Sequence, residues 1–170
     1  MIPTVESDRL ILRPHRAGDF DAFAAMMAEP AVARFITLNG QPQSRADSWR
    51  ILAAIIGGWT LRGFGMWAVE ERATGHYLGR VGPWQPEGWP GFEIGWGLSG
   101  AAQGKGYATE AAQAAIDWSR ATLGMGRILH IIHPDNVPSQ RVARRLGATI
   151  VGQWDAPWGV VCDLWASDPA

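Results

Sequence analysis

The first apolar run, Leu10-Ile11-Leu12, is halted at Pro14 and reads as a short strand. Apolar positions then recur at helical spacing through Phe20, Phe23, Ala24 and Met27, with Asp19 placed as N-cap and Pro30 as the stop. Ser44 followed by Asp47 is an acidic variant of the capping box. It predicts a helix carrying Trp49, Leu52, Ala53, Ile56 and Trp59 to about Gly63. From Gly65 the period changes to two. Met66–Glu70 and Tyr77–Gly82 read as strands joined at Thr74-Gly75, and Phe92–Leu98 reads as another after a Trp/Pro/Gly-rich loop, Pro83 to Pro90. A long helical pattern follows Gly106 and ends at Gly124. Ile128–His133 is a near-continuous apolar run, the pattern of a strand buried on both faces. A short helix over Pro138–Leu146 closes at Gly147, and Thr149–Trp154 with Val160–Trp165 predicts a final hairpin.

Antiparallel strands, then a strand–helix–strand crossover, then a hairpin predict the α/β (α+β) class, with helices on the faces of a mixed sheet. No repeat, linker or low-complexity tract interrupts residues 1–170, so a single domain is expected. Composition narrows the function classes. With 47% apolar and 18% charged residues the chain is a globular type, and a net charge of −1 gives no electrostatic footprint for nucleic acid or anionic membrane. A single cysteine, Cys162, forms no internal disulfide and builds no cysteine zinc site. It reads as a small buried hydrophobe. With no signal-like start and no bilayer-length apolar stretch, a cytoplasmic location is expected. Ten tryptophans are the compositional anomaly, read either as core packing or as the lining of a substrate cleft or dimer face.

The chemistry concentrates where the period changes after Leu98. A strand feeds Ser99-Gly100-Ala101-Ala102 and then Gln103-Gly104-Lys105-Gly106-Tyr107-Ala108-Thr109-Glu110-Ala111, which opens the long helix. Glycines admit close backbone approach, and the first turn of a helix offers unpaired amides and partial positive charge, so a phosphate-bearing ligand is implied. The Walker loop does not fit, because Lys105 precedes Gly106 and no glycine stands five before Gly104. The dinucleotide fingerprint lacks its third glycine, since Thr109 occupies that position.

Residues Gln103 to Ala111 closely resemble the acetyl-CoA loop of the GNAT superfamily of N-acetyltransferases, in the branch containing ribosomal-protein N-terminal (alanine/serine) acetyltransferases. Arg9–Pro14 is similar to that branch's opening strand, and Glu93-Ile94-Gly95-Trp96 to its fourth strand. His133–Ala148 is similar to its Asn-x-x-Ser plus Leu-Gly segment. One position departs from the wider superfamily: Ala101 stands where Gln or Arg precedes the loop. The resemblance implies a GNAT-like mixed, mostly antiparallel sheet of six to seven strands flanked by about four helices. It also implies transfer of an acetyl group from acetyl-CoA, as cosubstrate, to a primary amine, with the homodimer common in such families. Gln103, Gly104, Lys105, Gly106, Tyr107 and Ala108 are then expected around the pyrophosphate, Leu98 beside the pantetheine arm, and Asn136 near the reactive end.

Two catalytic roles are expected. Ser139 occupies the position that protonates the departing thiolate in the family, often held there by tyrosine; otherwise it caps the helix that follows. Glu93 is the candidate base for the acceptor amine, with a solvated strand-end charge as the alternative and His133 as a second candidate. Asn136 is alternatively a plain turn residue. No histidine–carboxylate cluster at ligand spacing suggests a metal, and no nucleophile elbow suggests an acyl-enzyme, so sequential kinetics are expected. A non-catalytic acetyl-CoA-binding module is the competing reading. Acceptor-side walls are expected from the first two helices, the Pro83–Pro90 loop and the final hairpin, with Trp84, Trp89, Trp154 and Trp158 lining an aromatic slot.

Overall fold

Strand pairing begins before the first apolar run. Val5–Glu6 (β1) pairs antiparallel with Leu10–Arg13 (β2), a contact too short to leave a sequence pattern. The computed structural model of the chain describes residues 1–169. Along it follow Phe20–Ala28 (α1), Pro30–Ile36 (α2), Arg45–Arg62 (α3), Trp67–Glu71 (β3), Tyr77–Trp84 (β4), Glu93–Leu98 (β5), Tyr107–Leu123 (α4), Ile128–Ile132 (β6), Val137–Arg145 (α5), Thr149–Asp155 (β7) and Val161–Ser167 (β8). The strands form one sheet in the order β1-β2-β3-β4-β5-β6-β8-β7, antiparallel throughout except for β5 against β6. The mixed α/β class is as expected. The sheet has eight strands rather than six to seven, and five helices rather than about four flank it.

The extra helix is α2. Pro30 ends α1 as expected but also opens the next helix, where its missing N–H removes no hydrogen bond. Asp19 is not the side-chain cap of α1. Its carboxylate accepts from the Arg16 amide at 2.7 Å and grips the Arg13 guanidinium through both oxygens, at 2.8 and 2.7 Å. Glu70 takes the Arg13 Nε–H, so a buried arginine is matched by two carboxylates. Ser44 caps α3 through the Asp47 amide, as the sequence indicates.

The two faces of the sheet are unequal. Leu12, Val69, Val81, Ile94 and Leu98 face α4, whose Ala111, Ala112, Ala115 and Ile116 allow close approach and complete the main core. Trp59, Trp67 and Trp118 meet edge to face there, with centroids 5.0 to 5.9 Å apart, so three of the ten tryptophans belong to this main core. Across the sheet a second cluster joins Phe23, Met26 and Met27 of α1 to Val32 of α2, Leu52 and Ile55 of α3, and Met66. α5 packs over β6 and β8 through Ala143, Ile132 and Trp165. β6 is not buried on both faces. Ile128, His130 and Ile132 are buried while Leu129 and Ile131, on the other face, are half-buried. Among the described residues no helix is long and apolar enough to cross a membrane.

Burial alone would raise the Asp19 carboxyl, but hydrogen bonds from Arg13 and the Arg16 amide outweigh it and hold the group below its ordinary value. Its contribution is therefore present above the unfolded value of about 3.9 and fades as pH falls through the lower folded value. Asp19→Asn is expected to lose about 2–4 kcal/mol in urea denaturation at pH 7, with Glu70 retaining part of the Arg13 pairing. The wild-type and variant curves should converge in acid.

Candidate active site

The loop after β5 is shaped by two glycines. Gly104 and Gly106 have φ of +76° and +82°, a left-handed conformation that a side chain resists, and Gly106 is the N-cap of α4. Ahead of them a 3-10 turn over Gly100–Ala102 takes up the Gln103 amide, which donates to the Gly100 carbonyl at 3.2 Å. The run of unpaired amides therefore starts at Gly104 and not, as the sequence suggested, at Gln103. From Gly104 to Thr109 no N–H finds a partner among the described residues. Gln103 acts through its side chain instead. Its Nε2 donates to the Leu98 carbonyl at 3.0 Å, so that acceptor is engaged within the chain.

Residues outside the loop motif hold it in place. Arg9 donates to the Lys105 carbonyl at 3.1 Å, binds Glu110 through its backbone amide and Nε at 2.8 and 2.7 Å, and lies over the Tyr107 ring at 4.6 Å. Ser7 Oγ donates to the same Glu110, and Tyr107 donates its hydroxyl to Glu71. Glu29, at the α1–α2 junction, accepts from the Gly100 amide at 2.8 Å. Arg9 lies in the motif that opens the chain, but nothing in its local pattern announces a partner a hundred residues away.

A cavity of about 580 Å³ runs from this loop between α2 and α5. Leu98, Gln103, Gly104, Gly106, Tyr107, Ala108, Asn136 and Ser139 all line it, with Val32, Phe35, Ile36, Trp96 and Gly97. Lys105 and Glu93 are not on its wall. Asn136, not Ser139, caps α5: its Oδ1 accepts from the Ser139 amide at 3.2 Å. The Ser139 hydroxyl oxygen receives the Trp96 indole N–H at 3.2 Å, which leaves its own O–H to donate elsewhere. His133 is held in the following turn, where its Nδ1 accepts from the Asp135 amide at 3.0 Å and its ring meets Phe35 at 5.6 Å.

Between β5 and β6 the ladder ends after one residue pair, Glu93 with Leu129. The next rung of a parallel pair would join the Ile131 amide to the Ile94 carbonyl. Side chains take both ends instead: Ile131 N–H donates to Glu93 Oε1 at 3.1 Å, and His130 Nδ1 donates to the Ile94 carbonyl at 2.8 Å. The carbonyl can only accept, which fixes the proton on Nδ1 and leaves Nε2 to accept from Ser167 at 2.9 Å. Burial lowers His130 to about 4, so it is neutral.

Glu93 is not the solvated charge its position at a strand end allowed. It is buried, and its Oε2 accepts from the Trp89 indole at 2.6 Å. Burial raises the carboxyl to about 7 against the opposing hydrogen bonds from Trp89 and Ile131. Trp89 belongs to a cluster with Trp154 and Trp158, centroids 5.1 to 5.5 Å apart, that joins the β4–β5 loop to the β7–β8 hairpin. Trp84, expected in the same slot, packs instead against the α1–α3 cluster. Arg80 is on the same face as Glu93, in the middle of β4, and the sequence pattern gave it no role. Cys162 is buried in β8, with its thiol pushed up by burial. Among the described residues no three His, Cys, Asp or Glu side chains gather as a metal site.

Residues 9–149 match the family described as acetyltransferase (GNAT) domain. The uncharacterized protein YkkB of Bacillus subtilis (strain 168) is 34% identical over 103 residues, which make up 58% of this chain and 60% of that protein's own length. An acetyltransferase from Agrobacterium tumefaciens str. C58 is 30% identical, with a TM-score of 0.88 over 99% of this chain and 96% of its own. RimJ of Mycobacterium smegmatis, in a structure with a CoA disulfide, shares the fold at 20% identity, TM-score 0.79, over 98% of this chain and 87% of its own. By the extent of the family match and the 30% identity across nearly all its length, this chain belongs to the GNAT acetyltransferase family.

Proposed function

We propose that the protein is an acetyl-CoA-dependent N-acetyltransferase that passes an acetyl group to a primary amine, a small molecule or a peptide N-terminus, by direct attack in a ternary complex. The observation that carries this reading is the run of unpaired amides from Gly104 to Thr109, at the start of a helix and on the wall of a cavity. Such amides, with the positive end of the helix dipole, suit a diphosphate. Coenzyme A joins a diphosphate to a thin arm ending in a thioester, and the fork between β5 and β6 lies beyond Leu98 for such an arm. Asn136 keeps its side-chain NH₂ for the arm while its Oδ1 caps α5. Lys105 contributes charge near the loop rather than contact. The coenzyme in the RimJ structure supports the reading by analogy.

In the reaction the neutral amine attacks the thioester carbonyl, the C–S bond breaks, and the amine's extra proton leaves to a base. Glu93 is that base in this reading: near pH 7 about half its population is ionised, and it lies at the apex of the fork. Ser139 returns a proton to the thiolate, its oxygen held by Trp96. The product amide and free coenzyme then leave.

Gly106→Val is expected to lower acetyl-CoA affinity by roughly 100-fold or more in calorimetric titration, because a β-branched residue rejects the left-handed turn that aims the amides. Lys105→Ala should change affinity less than about tenfold, as an exposed charge in high dielectric. The opposite ranking would overturn the amide cradle. Glu93→Gln should reduce free-thiol release by roughly 10²- to 10⁴-fold and erase the limb near pH 7 in kcat/KM. The same change should stabilise the protein at pH 8. The fold prefers the neutral carboxyl, so its cost, on the order of 3 kcal/mol, develops as pH rises from the unfolded value of about 4.3 through the folded one. Ser139→Ala should lower kcat more than acetyl-CoA affinity. Coenzyme binding with no turnover on any amine would instead mark a non-catalytic module.

A further inference from the structure

Every charged residue on the cavity wall is an arginine. Arg34, Arg141 and Arg145 line it, and among the described residues no aspartate or glutamate does, in a chain with 16 acidic residues against 15 basic ones. Arg34 has partners: Asp135 lies 3.8 Å away, and the Phe35 ring lies under its guanidinium at 5.0 Å. Arg144 bonds Gln140 at 3.4 Å and covers the Trp165 ring at 5.1 Å. Arg141 and Arg145 are exposed, and neither meets a carboxylate, a hydrogen-bond acceptor or an aromatic ring among the described residues. The fold does not account for the pair. α5 holds three arginines and no acidic residue, and positions 141 and 145 are one turn apart, where like charges repel. The negative end of the helix dipole favours Arg144 and Arg145 in the last turn, but Arg141 lies before it.

α5 packs beside α4, so the two arginines border the same cavity as the amides that open α4. Thr109, the third residue of α4 and also on the wall, has a buried hydroxyl without a partner. Its usual acceptor in a helix is the carbonyl four residues back, and Arg9 already donates to that of Lys105. Native proteins leave few buried polar groups unmatched. The wall is also graded. Its apolar part holds Phe35, Ile36 and Trp96, with Ile36 packed on Gly97. Ser139 meets the Trp96 indole there, and Arg145 is six residues further along α5, about 9 Å. A diphosphate on the Gly104–Thr109 amides would leave Arg141 and Arg145 unmatched. The wall therefore suits a ligand with one anionic group more than the amides hold.

We infer that Arg141 and Arg145 form the subsite for the 3′-phosphate of coenzyme A, and that α5 thereby selects this donor over pantetheine carriers without that group. The inference rests on coenzyme A being the donor. Its 3′-phosphate is held apart from its diphosphate by the ribose, so the two anionic groups call for separate partners. A phosphate dianion matches two guanidinium groups one turn apart and relieves their repulsion. The 3′-dephospho form, or a phosphopantetheine arm on a carrier protein, has nothing to place there. Both arginines are exposed, so the subsite acts through solvent-screened charge and is sensitive to salt.

The test is calorimetric titration of the protein with coenzyme A and with 3′-dephospho-coenzyme A at low salt. Coenzyme A should bind roughly 10- to 50-fold more tightly. Arg141→Gln combined with Arg145→Gln should bring that ratio to within about twofold of unity, while affinity for the dephospho form stays at the wild-type level. Arg141→Lys with Arg145→Lys should retain part of the preference. Arg144→Gln, which removes a charge from α5 off the cavity wall, should leave the ratio unchanged. Raising the salt from about 0.05 M to about 0.5 M should shrink the wild-type ratio. The double glutamine variant should melt no earlier than the wild type, because the like-charge pair is gone. Equal binding of the two coenzymes by the wild type, a ratio that survives the double change, or an equal loss for both coenzymes in that variant would each overturn the inference. Binding of neither coenzyme would instead overturn the donor reading on which it rests.

Discussion

The structure turns on one missing rung. A parallel pair normally continues its evenly spaced hydrogen bonds, yet β5 and β6 share one residue pair and then part. Parting exposes peptide groups, and an unpaired peptide in a protein interior is destabilising by roughly 1–3 kcal/mol. The chain meets this with side chains. Glu93 takes the Ile131 amide, His130 takes the Ile94 carbonyl, and Trp96 reaches Ser139 at the start of α5. The fork is held open as well as apart, because each bridging group is a side chain that keeps the strands at a distance. The cavity, the position of α5 and the burial of Glu93 all follow from it.

Much of this was legible in the sequence, and the legible parts share a cause. Elements whose pattern is local, such as α3 with its Ser44 cap or the final hairpin, were read closely to where they lie. The loop after Leu98 was legible because left-handed turns restrict residue choice so strongly that glycine marks them. What was missed depends on partners distant in the chain. β1 is two residues long and exists through its pairing with β2. Asp19 had the spacing of a cap, but a buried arginine six residues earlier claimed its carboxylate. Gln103 had the place of a phosphate ligand, but the 3-10 turn before it consumed its amide. The fork itself had no sequence signature at all, since an absent hydrogen bond leaves the apolar pattern of both strands intact.

The two faces of the sheet divide the labour. The α4 face holds most of the apolar core, and its alanines let the helix approach closely enough for its N-terminus to meet the end of β5. The opposite face keeps Gly95 and Gly97 in β5, onto which Met66 and Ile36 pack, together with a raised carboxyl and a guanidinium whose one partner is the Met66 thioether. Neither the carboxyl nor the guanidinium serves stability. A methionine or leucine in place of Arg80 would bury apolar surface without desolvating a charge. Local choices that work against the fold are expected at functional positions, and here they concentrate along one strip of one face.

Arg80 and Glu93 also bear on each other. The guanidinium favours the ionised carboxylate, acting against the burial that raises it. The two groups share a face without forming an ion pair: Trp89 and Ile131 hold the Glu93 oxygens, and Arg80 reaches the Met66 thioether. The field of the guanidinium therefore tempers the effect of burial without reversing it, and the carboxyl is left raised to about 7, the range in which it can both take and release a proton.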